Sequence, residues 1–131
     1  MIYTPKNPDL KLEDYPLEIA RCRAVIARID ARLAELAEQQ AAIELRIDIA
    51  VADDRDLRNS EQRKAKRDQL RSQNYDYQAA LALANNQREK RLKQDITLEL
   101  LRSAFSVAKL VARERIARIA IAEDSGLGLV A

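Results

Sequence analysis

Along the first half of the chain, apolar positions recur at alternating steps of four and three. Tyr15, Ile19, Cys22, Ile26, Ile29, Leu33, Leu36, Gln40, Ile43, Ile47 and Ala50 form the series. This is a heptad with a positions at 19, 26, 33, 40 and 47 and d positions at 22, 29, 36, 43 and 50. Such spacing keeps one face of a helix turned toward a partner. Gln40 is the one polar a residue, Val25, Ala37 and Val51 widen the stripe, and Asp54 ends it. A widened stripe suits a bundle of three or more helices better than an isolated two-stranded coil. The pattern predicts a helix over residues 16–57, roughly 60 Å long at about 1.5 Å per residue.

The stripe dissolves at "DDRDLRNSEQ". Asn59 or Ser60 is placed to cap a short helix over 60–72, with Asn59 and Gln62 spaced like a capping box. "SQNYDYQ" marks a second break, with Asn74 as the cap of a last helix over 75–123. Its final half carries Leu98, Leu101, Phe105, Ala108, Ala112, Ile119 and Ala122 on one seam, interrupted by Arg115. A second row, Ile96, Leu100, Ala104, Val107 and Val111, lies beside it. Two apolar rows imply two packing partners: the first helix is one, and another subunit is the simplest source of the second. Leu98, Leu101, Phe105, Val107, Val111 and Ile119 are therefore the candidate oligomer seam. The preceding "ALALANNQREKRLKQD" shows little apolar periodicity and is expected to be exposed or weakly held helix.

Residues 1–15 read as an irregular arm, kept out of helix by Pro5, Pro8 and an Asn/Asp-rich stretch. Pro16 then suits the first helical position, where a missing N–H costs nothing. The arm is expected to lay Ile2, Tyr3 or Tyr15 on the helices or on a partner. Gly126 is a candidate C-cap, after which residues 126–131 form a flexible tail.

Composition narrows the fold class. Both glycines lie at 126 and 128 and all three prolines within the first sixteen residues, so 17–125 contains no breaker. Ala, Leu, Glu, Lys, Arg and Gln dominate that stretch, and these are strong helix formers. Apolar residues make up 47% of the chain, but much of this is Ala and only 4% is aromatic. That supplies a narrow seam better than a compact globule. Residues 1–57 hold 8 basic and 12 acidic side chains, net −4, and 58–131 hold 15 and 9, net +6. Opposite charge favours folding back. The expected fold is all-α: an elongated antiparallel helical hairpin or coiled coil, one helical domain over 16–125, with a short third helix at its tip and oligomeric. A straight parallel assembly through the same seams is the alternative, and the oligomer number stays open.

The residue inventory limits chemistry. The chain has no His, and its single Cys22 sits at a d position, where a small core role outweighs a nucleophilic one. Neither a Cys/His nucleophile nor a zinc site can be assembled, and a Gly-free stretch holds no phosphate loop. Asp53, Asp54 and Asp56 carry enough charge for a divalent cation, but near a helix end they would point apart. No catalytic residue, metal or cofactor is assigned, and the chain is not expected to be an enzyme. It shows no secretory leader and no apolar run of about 18 residues. With one cysteine, the expected setting is the reducing cytoplasm, not the exterior and not a membrane.

"RNSEQRKAKRDQLRSQ", residues 58–73, carries six basic side chains against two acids. On a helix Arg63, Arg67 and Arg71 align, and such a row can follow phosphates and release counterions. Lys64 sits beside them; Arg88 and Arg91 belong to a second basic cluster. Tyr75 and Tyr77 fall between the clusters, where they could stack on unpaired bases. These eight residues are the candidate nucleic-acid contact. The competing readings are a solvated helix face and a dock for an acidic protein; net charge +2 is low for a nucleic-acid-binding domain.

Asn59, Gln62, Arg63, Lys64 and Ala65, then Tyr77 and Gln78, then Leu101, Arg102, Phe105, Ser106 and Val107 follow a recurrent pattern. In these positions, about half its length, the chain resembles small coiled-coil proteins of bacteriophages and prophages. "SQNYDY" departs from the acidic turn of that pattern. The resemblance implies a bacterial host cell and the neighbourhood of phage recombination or replication genes. The function it suggests is a non-catalytic accessory or adaptor holding DNA, or a DNA-bound partner, through the basic tip. The alternatives are a structural scaffold or virion-assembly component, and a small helical subunit of a ribonucleoprotein.

Overall fold

The computed structural model describes residues 2–5 and 9–130, with side chains as far as Asp124. A short 3-10 turn, Leu12–Asp14, leads into three α-helices: α1 (Tyr15–Asp53), α2 (Ser60–Gln73) and α3 (Tyr75–Val130). Among the described residues there is no strand, so the all-α expectation holds.

The junctions are made by asparagines. Asn59 is extended and its Oδ1 accepts the Gln62 N–H at 2.8 Å, capping α2. Gln62 returns the bond one residue earlier than a standard capping box: its Oε1 accepts the Arg58 N–H at 2.7 Å. Asn74 serves two helices. Its N–H donates to the Arg71 carbonyl at the end of α2, and its Oδ1 accepts the Tyr77 N–H at 2.9 Å at the start of α3.

Two helix ends fall elsewhere than the sequence suggests. α1 stops at Asp53, four residues short of the expected end. The Asp54 carboxylate accepts the Asp56 N–H at 3.0 Å, offering the backbone a turn in place of helix. Consecutive acids also oppose the negative end of the helix dipole. α3 continues past the expected end at 123 to Val130. Among the described residues no glycine takes a positive φ, so Gly126 extends the helix without capping it. Of the tail expected to be flexible, the side chains of 126–130 and the whole of Ala131 lie outside the described residues.

Contacts group the chain into two compact units, Met1–Val25 with Gln94–Ala131, and Ile26–Lys93. In the second of these, α1 buries Ile26, Ile29, Leu36, Ile43, Ile47 and Val51. Leu36 packs with Ala80 and Ala84 of α3, joined by Leu33. Ile43, Ile47 and Val51 pack with Leu57, Leu70 and Tyr77, and this is where α2 is seated. The final d residue, Ala50, is exposed, and Val51 takes its place. α1 and α3 run antiparallel in this unit, since Leu36 meets Ala80 and Ala84 while the later Ile47 meets Tyr77.

In the other unit, Ile19 and Cys22 of α1 and Gln94, Leu98 and Leu101 of α3 are buried. Tyr15 stacks on Phe105 at 5.6 Å between ring centroids, and the Lys109 ammonium lies 4.4 Å over the same ring. The arm is pinned by a side-chain amide. The Tyr3 N–H donates to Gln94 Oε1 at 3.1 Å, and Gln94 Nε2 donates to the Tyr3 carbonyl at 3.2 Å. The Tyr3 hydroxyl also donates to Glu18. Of the three arm residues expected to dock, Tyr3 and Tyr15 do so, while Ile2 is exposed.

Candidate functional site

Two of the α2 arginines expected to face phosphate pair with acids of α1. Arg67 Nε bonds Asp48 Oδ1 of α1 at 3.0 Å. Arg71 Nε lies 3.3 Å from Glu44 Oε1, an ion-pair distance without hydrogen-bond alignment, and its Nη1 lies 3.4 Å from Asp68. The Tyr77 hydroxyl donates to the same Glu44 at 3.0 Å. Burial, then the hydrogen bond and charge of Glu44, push the Tyr77 phenol above its usual range, against the opposing charge of Arg71. These are partly exposed pairs, each contributing at most about 1 kcal/mol. Together they fix the face that α2 presents.

The remaining basic candidates divide. Arg91 Nε lies 2.6 Å from Asp30 Oδ1, with a second contact from Nη2 to Oδ2 at 3.3 Å, a two-pronged bond from α3 to α1. Arg88 donates to Asn85 one turn back at 2.9 Å. Arg63 and Lys64 are exposed, and Tyr75 is 83% exposed. The structure therefore leaves Arg63, Lys64 and Tyr75 free to reach outward on this side and turns Arg67, Arg71, Arg91 and Tyr77 inward to carboxylates. The sequence carries a signal for this in Asp30, Glu44 and Asp48, acids of the first helix that face the basic half.

The apolar side of α3 also divides. Leu98 and Leu101 are 8% and 5% exposed, so both belong to the chain's own core, and Phe105 is partly covered by Tyr15. Val107, Val111 and Ile119 are exposed, and so are Ile96, Leu100, Leu110, Ile116 and Ile121. Ile96, Leu100, Val107 and Leu110 fall on one stripe, and Ser103 completes its three–four spacing. A groove of about 300 Å³ opens on this stripe, lined by Asp95, Ile96, Glu99, Leu100 and Ser103.

Gln94 is the residue sequence reasoning missed. It is fully buried, spans both arm bonds, and its carbonyl lies 3.5 Å from the Cys22 thiol. Its seam position could have been found by stepping back four residues from Leu98. Burial, reinforced by the charge of Asp95, pushes the Cys22 thiol up, as suits a core residue. Among the described residues no cluster of three or more His, Cys, Asp or Glu is placed to hold a metal ion. None of the described helices is long and apolar enough to cross a membrane.

Comparisons with protein-family models, with curated proteins and with solved structures find no match to the chain.

Proposed function

We propose that this chain is a non-catalytic helical interaction protein, a scaffold or assembly component whose working surface is the exposed apolar side of α3. One observation carries the reading. From Ile96 to Ile121, α3 leaves Ile96, Leu100, Val107, Leu110, Val111 and Ile121 between 48% and 67% exposed. A row of large apolar side chains at helical spacing marks a contact surface rather than scattered surface residues. Cysteine accessibility tests it directly. Val107→Cys, Leu110→Cys and Lys64→Cys variants are treated with a maleimide, first as dilute purified protein and then inside the cells that make them. Native Cys22 is fully buried and stays silent. The reading expects positions 107 and 110 to be masked in cells while 64 reacts in both settings. Equal labelling at all three sites would remove it.

A second reading keeps the nucleic-acid contact, because Arg63 and Lys64 at the start of α2 and Tyr75 at the start of α3 are exposed. It is the adaptor role in phage-type recombination or replication implied by the resemblance. Fluorescence anisotropy with single-stranded, duplex and forked DNA separates the two. With few outward cations the salt slope should be shallow, about −0.9 per phosphate contacted on duplex DNA. Arg63→Ala with Lys64→Ala should abolish binding, whereas Arg67→Ala should lower stability and leave affinity intact. No binding at low salt removes this second role.

A further inference from the structure

We infer that the partner of the α3 stripe is a second copy of the same helix, docked antiparallel; the inference rests on the interaction reading above. Three features of the stripe lead to it. With a positions at 100, 107 and 114 and d positions at 96, 103 and 110, the exposed face keeps a heptad register distinct from the buried seam. The residues around the shallow groove have the matching outline: Ile96, Glu99, Leu100 and Ser103 stand at i, i+3, i+4 and i+7, the spacing that surrounds one knob in a coiled coil. Charge at the flanks then selects the direction.

In an antiparallel pair, a positions face d positions. Leu100 meets Leu110 of the other copy, Val107 meets Ser103, and Leu110 is the knob that enters the hole. The flanking g positions meet each other, so Glu99 comes opposite Arg113, twice by symmetry. Glu114 faces Ile96 in the last layer at each end of the seam, where its bond to Arg118 can persist toward solvent. The parallel arrangement fails on the same residues. In it the two Glu99–Arg113 pairs are lost, Glu114 faces Glu114 and Arg113 at g faces Arg118 at e, like-charge contacts relieved only by Glu114 against its neighbouring arginines. An isologous antiparallel contact is also closed, so it ends at two copies without growing into a fibre.

Sedimentation of the full chain over a wide concentration range tests the proposal. The expected result is a monomer–dimer equilibrium, weakened at least about tenfold by Leu110→Asp with helicity unchanged. Glu99→Arg and Arg113→Glu should each weaken the dimer, and the double exchange should restore it. If Arg113→Glu alone strengthens the dimer, the pairing is parallel and the proposal is overturned. A monomer at every concentration overturns it too, yet masking of Val107→Cys and Leu110→Cys in cells would still support a different partner.

Discussion

Gln40 and Gln94 both sit on seam positions, with opposite outcomes. Gln94 spends its whole amide on Tyr3, accepting through Oε1 and donating through Nε2. Gln40, the one polar a residue of the first helix, is partly buried and its Nε2 has no hydrogen-bond partner. A buried donor left unmade costs about 1–3 kcal/mol. Gln40→Leu should therefore stabilise the fold by about 1 kcal/mol, read as a higher urea midpoint at constant slope. An unchanged or lower midpoint would mean that the amide is satisfied by solvent at no cost. Sequence alone marks both glutamines as exceptions to an apolar pattern, but it does not say which one has an answering group. That answer lies in the arm, 91 residues away from Gln94.

The helices themselves were legible to different depths. α1 reads clearly because Ile and Leu mark nearly every seam position, and its buried residues follow the heptad down to the shift from Ala50 to Val51. The first half of α3 was opaque for the opposite reason. Its seam steps through Ala80, Ala84, Gln87, Arg91 and Gln94 before reaching Leu98, keeping the three–four rhythm with small or polar residues. Alanine at a seam admits a close neighbour without announcing itself by hydrophobicity. Asn74 was legible as a cap, and Asn59 as one of two candidates beside Ser60, since a short polar side chain ahead of a helical stretch can accept its first free N–H groups. The early end of α1 was not, because it depends on one aspartate side chain capturing a backbone N–H.

For the chain as a whole, the opposition of an acidic first half and a basic second half reappears in the bonds of Asp48 to Arg67, Glu44 to Arg71 and Asp30 to Arg91. The same bonds give three of the arginines expected at phosphate a carboxylate partner on α1. A helical row of arginines is visible in sequence, but the carboxylates it faces are visible only once the helices are placed. The paired arginine of Asp48 lies 19 residues along the chain, that of Asp30 lies 61, and Gln94 lies 91 from Tyr3. Closing a longer loop costs more entropy, though only logarithmically, so contacts beside the Asp54–Asn59 turn are favoured to form first. In kinetic terms, Leu70→Ala should slow refolding, with a φ-value well above that of Gln94→Ala, which should mainly accelerate unfolding. The reverse order would reject this sequence of events. The clip between Tyr3 and Gln94 closes one of the widest loops in the chain and should form late. Since the Gln94 carbonyl also lies 3.5 Å from the Cys22 thiol, slow thiol labelling at Cys22 should report how often that end of the chain opens.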